Sequence, residues 1–242
     1  VITGSASEVT AALVTTDSKV SAGTALVTIN DDAGTSLTTS TLSNIGSATS
    51  GTVTVSNAIA ITGSASEVTA VLVTTDSKVS ANTATVTIND DAGTALTATA
   101  LSDIGSATTG TVTVTNAVAI TGTAAECHDA LAEADSKVVV SGAIVTISDA
   151  DNSSINATVL SAIGGATSGT VTISNAVAIE GLVDQVTGAL VTDGTKVVAS
   201  SSATVEITDT PTISKLNSIA NATNAVITAT LAAATLTSLG DL

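Results

Sequence analysis

The stretch Ile2-Thr3-Gly4-Ser5-Ala6-Ser7-Glu8-Val9 decides the fold, because it comes back. It returns as Ile61-Thr62-Gly63-Ser64-Ala65-Ser66-Glu67-Val68 and again as Ile120-Thr121-Gly122-Thr123-Ala124-Ala125-Glu126-Cys127, with a weaker copy at Ile179-Glu180-Gly181-Leu182. Ile2, Ile61, Ile120 and Ile179 stand 59 residues apart at each step. Lys19, Lys78, Lys137 and Lys196 keep the same step, as do Thr52-Val53-Thr54-Val55, Thr111-Val112-Thr113-Val114 and Thr170-Val171-Thr172-Ile173. In the fourth copy Leu216, Ile219 and Ile227 follow three residues early, which a deletion near Pro211 explains. The chain therefore reads as four tandem units, 2–60, 61–119, 120–178 and 179–234. Residues 235–242 read as the start of a further unit or a tail. Self-similarity of this kind points to a quasi-one-dimensional array rather than one or two separate domains. Both ends cut across the pattern, so a fragment of a longer protein or a processed subunit is expected.

Within one unit, Ser5-x-x-Glu8 is a capping box, and Val9, Ala12 and Leu13 share a helical face. The spacing predicts a helix over 6–14 and a turn at Asp17-Ser18. From Thr24 to Asn30 the pattern alternates as a strand does. Asp31-Asp32-Ala33-Gly34 reads as a turn. Leu42, Ile45 and Ala48 predict a second short helix ending near Gly51, and Thr52–Ser56 a second strand, which Ile59 and Ile61 prolong into the next capping box. The order is helix, strand, helix, strand, with a coil of about 30 residues. Strands joined by helical crossovers pair in parallel. The expected fold is an α/β solenoid with a parallel β-sheet on one side, short helices on the other, and a thin aliphatic core. A β-solenoid in which the helices are only turns is the first alternative, and tandem small β-sandwich domains the second. A 59-residue unit is marginal as an independent domain, burying only about 60% of its unfolded surface.

Composition excludes whole classes of function. The 242 residues contain no aromatic residue, no Met and no Arg; 21 acids face five lysines, a formal charge of −16. Nucleic-acid binding needs basic and stacking side chains that are missing here. One cysteine cannot build a disulfide framework. A mean hydropathy of +0.55 argues against disorder, and no apolar run is long enough to span a bilayer.

The strings Ile120–Glu126 and Lys215-Leu216-Asn217-Ser218-Ile219-Ala220-Asn221-Ala222-Thr223 resemble repeats in giant secreted or cell-surface proteins of marine cyanobacteria and other bacteria. The resemblance covers essentially the whole chain. It implies an extracellular, structural or adhesive role and transfers no catalytic residue.

Few residues offer chemistry. Cys127 fills the slot of Val9, Val68 and Val186, an inward helical position, and His128 that of Thr10, Thr69 and Thr187, expected to be exposed. Helix neighbours do not face each other, so a thiol–imidazole pair is not expected. The recurring acids Asp31, Asp32, Asp90, Asp91, Asp149 and Asp151 are candidate Ca²⁺ ligands, since a hard cation takes about 6–8 oxygens. They also read as turn residues that bond their own backbone and stay solvated. Glu8, Glu67 and Glu126 read as helix caps. The four periodic lysines are expected to pair with Asp17, Asp76, Asp135 and Asp193. Thr28, Thr54, Thr87, Thr113, Thr146 and Thr172 are expected to share the solvent face of the sheet, either as a hydroxyl array for ice, glycan or mineral or simply as good strand residues. Asn152, Asn156 and Asn221 match glycosylation acceptors, as chance allows in so Ser/Thr-rich a chain.

The function expected is a non-catalytic extracellular structural protein, a subunit or segment of a self-assembling fibre, sheath or surface layer. The alternative is an adhesin-type module binding glycan, cell surface or ice through a Thr/Asp face. The partners expected are copies of the chain, joined through solenoid ends or sheet edges. No organic cofactor, nucleic acid or transmembrane segment is expected.

Overall fold

A computed structural model describes residues 1–192 and 194–231; Asp193 and the expected tail at 235–242 lie outside them. The first repeat contributes β1 (Ile2–Gly4), α1 (Ala6–Leu13), β2 (Val27–Ile29), β3 (Ser36–Thr38), α2 (Thr39–Ser47) and β4 (Val53–Val55). The second gives β5 (Ala60–Gly63), α3 (Ala65–Val68, prolonged by a π-helical turn over Thr69–Val73), β6 (Val79–Ser80), β7 (Thr85–Ile88), β8 (Ala95–Thr97), α4 (Ala98–Ser106) and β9 (Val112–Val114). The third gives β10 (Ala119–Gly122), α5 (Ala124–Leu131), β11 (Val138–Val140), β12 (Ile144–Ile147), β13 (Ser154–Asn156), α6 (Ala157–Ala166) and β14 (Val171–Ile173). The fourth gives β15 (Ala178–Gly181), α7 (Val183–Leu190), β16 (Val197–Val198), β17 (Thr204–Ile207), α8 (Ile213–Ala222) and β18 (Val226–Ala229).

The protein is an α/β repeat structure of parallel strands and short helices. It divides into two compact units. One holds the sheets β1-β2-β4-β6 and β3-β5-β7-β9-β11; the other holds β8-β10-β12-β14-β16 and β13-β15-β17-β18. The described strand pairings are parallel, and their ladder steps span from 22 residues (Thr204 to Val226) to 26 (Val27 to Val53). Each sheet mixes strands of successive repeats: β3 of the first pairs β5 of the second, and β13 of the third pairs β15 of the fourth. A repeat therefore has no sheet of its own, which removes the β-sandwich alternative. The helices of 8–10 residues are genuine, not mere turns.

Two expectations need correction. The single sheet is four sheets, and each repeat carries more strands than the helix–strand–helix–strand order allows. The run from Val53 to Ile61 is not one strand. It breaks at Asn57, whose side-chain amide donates to the Asp31 carbonyl at 2.7 Å, while Ser56 N donates to Ile29 O at 3.0 Å. β4 and β5 consequently enter different sheets of the same unit.

The core follows from period-2 alternation. In one sheet Leu37, Ile61, Val86 and Val112 are register partners and all are buried; in another Leu96, Ile120, Val145 and Val171 repeat the row. Burying one such side chain stabilises by about 1.5–3 kcal/mol. The layers lie close enough to exclude larger groups. A Cβ on Gly46 would overlap the Ser77 carbonyl oxygen, and one on Gly105 the Ser136 oxygen. This close approach accounts for the Ile-Gly pairs at 45–46 and 104–105.

Buried threonines join the layers. Thr49 Oγ1 donates to Ala25 O at 2.7 Å and accepts from Gly51 N at 3.0 Å. Thr108 and Thr167 make the same bonds to Ala84 O and Ala143 O, at 2.5 and 2.7 Å. Hydrogen-bonding the hydroxyl removes the cost of burying it.

Candidate functional site

The periodic acids are placed by helix starts. Helix α1 opens with the expected capping box: Glu8 N donates to Ser5 Oγ at 3.3 Å, and Ser5 N donates to Glu8 Oε2 at 2.8 Å. The same pair of bonds opens α3 and α5 through Ser64–Glu67 and Thr123–Glu126. In α7, Leu182 N donates to Gln185 Oε1 at 2.8 Å instead. One orphan amide remains at each start, and a distant aspartate takes it. Ala6 N donates to Asp31 Oδ2, Ala65 N to Asp90 Oδ2 and Ala124 N to Asp149 Oδ2, each at 2.6 Å; Val183 N donates to Asp209 Oδ1 at 2.7 Å. The first acid of each candidate set thus ties a turn to a helix N-terminus about one ladder step away, where a carboxylate also suits the macrodipole. The signal for this tie was the spacing between the helix start and the aspartate, 25 residues in the first three repeats and 26 in the fourth. Asp32, Asp91 and Asp151 are exposed beside these tied acids. Asp151 Oδ1 accepts from Ala176 N at 2.9 Å. Among the described residues these six aspartates are not gathered into a group of three carboxylates around a common point.

The capping carboxylates are held below the ordinary carboxylate value. For Glu8 the main cause is the Ser5 backbone amide and the second its hydroxyl; Ser64 acts the same way on Glu67. Glu126 is lowered by Thr123 in both ways and by the Thr99 hydroxyl at 3.1 Å. All three side chains stay in solvent.

The lysines hold an unforeseen backbone role. Lys78, Lys137 and Lys196 have φ of 60°, 58° and 53°, the left-handed region that non-glycine residues enter rarely. Their carbonyls accept from Val53 N, Val112 N and Val171 N at 2.8, 2.9 and 3.1 Å, leading into the short edge strands β6, β11 and β16. Of the expected lysine–aspartate pairs, Lys137 Nζ–Asp135 Oδ1 closes to 3.9 Å among the described residues; Asp193 lies outside them. Lys215 instead pairs with Asp184.

The expected threonine face is distributed over three sheets. Thr28 and Thr54 lie on the first with Thr3; Thr87 and Thr113 on the second with Thr38 and Thr62; Thr146 and Thr172 on the third with Thr97 and Thr121. Each set is a row of register partners on the outward face. Asn156 is a helix cap, its Oδ1 accepting from Thr158 N at 2.9 Å.

Cys127 is fully buried, as its valine slot predicts, and burial, with Glu126 and Asp149 adding to it, pushes the thiol up to about 12. It stays protonated and unreactive in neutral solution. His128 is half-buried rather than exposed, as are Thr10, Thr69 and Thr187 in the same slot, and its Nδ1 lies 3.2 Å from Glu133 Oε1. Asp129 joins them: one ligating atom from each of His128, Asp129 and Glu133 lies within 4.8 Å of the others. Sequence reasoning missed this group. Its signal was the simultaneous change of three positions that are Thr10, Ala11 and Thr15 in the first repeat.

Surface depressions follow the repeat. One of about 520 Å³ is lined by Leu72, Val79–Asn82 and Ser106–Thr109, and a smaller one of about 140 Å³ by the equivalent Val197–Ala199 and Asn221–Asn224. Among the described residues no helix is long and apolar enough to cross a membrane. No family model matches the chain, and neither a curated protein nor a solved structure does.

Proposed function

We propose that the chain is one continuous α/β solenoid of four repeats of about 59 residues, and that it serves as a non-catalytic extracellular structural protein: a subunit or segment of a self-assembling fibre, sheath or surface layer. The observation that carries this reading is the borrowing of strands between repeats. Each sheet takes strands from successive repeats with the same register rule and the same aliphatic inward row. Such a rule extends to a further copy without any new kind of contact, and an open strand edge is a template for it. The resemblance to giant surface-protein repeats points the same way. Copies carrying −16 each repel one another in dilute buffer, and salt near 1 M shortens that repulsion to about 3 Å. Assembly is therefore favoured by salt or divalent cations.

Light scattering and negative-stain electron microscopy test this. Filaments or growing particles in salt or calcium are the expected result. A chain that stays monomeric at high concentration, with and without calcium, overturns self-assembly.

A second reading is supported by the threonine rows. Thr38-Thr62-Thr87-Thr113 and Thr97-Thr121-Thr146-Thr172 set hydroxyls in register, about 4.8 Å apart. An adhesin-type module would bind glycan or ice there. A glycan array and a thermal-hysteresis assay that both stay silent remove it.

A further inference from the structure

Three of the four repeats close the first helix on small neutral residues. The positions are Thr10, Ala11 and Thr15; Thr69, Ala70 and Thr74; Thr187, Gly188 and Thr192. The third repeat alone has His128, Asp129 and Glu133 there, and His128 is the chain's one histidine. Three metal-ligating side chains replace three residues that ligate poorly, all at one helix end.

The shared scaffold makes these positions neighbours. In every repeat the chain leaves this helix by a wide turn in which the amide of residue i+5 donates to the carbonyl of residue i: Thr15 N to Thr10 O, Thr74 N to Thr69 O and Thr192 N to Thr187 O at 3.1 Å, and Glu133 N to His128 O at 3.0 Å. The turn brings the backbone of residue i+5 back to that of residue i. In the third repeat that puts a carboxylate on an imidazole, with Asp129 beside them and all three donor atoms within 4.8 Å. Asp129 and Glu133 are exposed and His128 is partly so, and modest rotations bring their donors to the 2.0–2.2 Å typical of zinc–nitrogen and zinc–oxygen bonds.

We infer that His128, Asp129 and Glu133 form a surface site for a borderline divalent transition-metal ion of the zinc, nickel and copper class. The donor set selects that class. Imidazole suits zinc, nickel and copper, whereas calcium and magnesium seek oxygen alone and in greater number. No thiolate takes part, because Cys127 is buried in the core and is not one of the gathered donors. A cation at a helix C-terminal turn is also favoured by the macrodipole. Three protein ligands leave a further position for water or for a donor from another molecule. The site does not depend on the chain's assembling.

The test titrates zinc, nickel and calcium separately into the full chain at about pH 7.5, by calorimetry and by the ring signals of the one histidine. Expected is one zinc or nickel per chain with the imidazole resonances shifted, and no calcium competition. His128→Thr and Glu133→Thr, which restore the residues of the other repeats, each weaken zinc by about tenfold or more. Glu67→Gln, at a different helix, leaves it unchanged. Circular dichroism of the metal-free variants checks that they fold. Zinc affinity unaffected by His128→Thr, a wild-type chain that binds no zinc, or calcium bound as tightly as zinc would each overturn the assignment.

Discussion

Two sheets, β3-β5-β7-β9-β11 of one unit and β13-β15-β17-β18 of the other, have inward rows of the same kind and differ in their outer face. The inward rows are interchangeable: Leu37-Ile61-Val86-Val112 in one and Ile155-Ile179-Val205-Ile227 in the other. The outward row of the first is Thr38-Thr62-Thr87-Thr113, whereas the second has Asn156-Glu180-Glu206-Thr228. Close layering fixes what faces inward, because a void or an extra methylene is felt at once. Solvent tolerates what faces outward, even Glu180 and Glu206 as direct register partners, although like charges placed so are unfavourable. The repeat is thus strict where it packs and free where it is wet, and recognition chemistry is to be sought on the free side.

The largest effect tests the likeness of the two inward rows. Ile61→Ala in the first sheet and Ile179→Ala in the second should each cost about 2–5 kcal/mol, read from urea unfolding. A loss confined to one sheet would show that the two interiors are not equivalent. The outer rows come next. Glu180→Thr combined with Glu206→Thr should stabilise by about 0.2–1 kcal/mol, and the gain should shrink in high salt. The mirror change, Thr62→Glu with Thr87→Glu, should destabilise the first sheet equally. No change in either would mean that the outward residues do not sense one another.

The smallest effect concerns helix caps. Glu8, Glu67 and Glu126 have lowered values in the folded chain, so their contribution is present above the ordinary 4.5 and is lost as pH falls through the lowered values. Replacing all three by Gln, the residue already serving α7 as Gln185, should flatten the acid limb of the thermal-stability profile below the ordinary carboxylate value of 4.5. An acid limb of undiminished steepness would assign the loss to other carboxylates.

Much of this was legible in the residues. The 59-residue period, the capping boxes, the helix from Ala6 and the inward slot of Cys127 all follow from local pattern and are present in the structure. The strands Ser36–Thr38 and Val79–Ser80 were not, since two or three residues are too few to display a period of two. The number of sheets was hidden for the same reason: the break at Asn57 depends on a side-chain bond to Asp31, 26 residues away. Asp31 itself looked like a turn residue because its partner, Ala6 N, is remote in sequence. The pairing of His128 with Glu133 escaped notice because positions five apart do not meet on a regular α-helix; the wide turn that brings them together is a property of the backbone.

The near-constant ladder step bears on how the chain reaches this state. Parallel sheets are usually slow to form because their strands are far apart along the chain. Here no pairing given above closes a loop longer than 26 residues, and closure entropy depends only logarithmically on loop length. Each added strand therefore faces nearly the same entropic barrier as the one before. Folding can nucleate at any step and spread in both directions, as a zipper does, with a rate set by the first few closures rather than by the total number of residues.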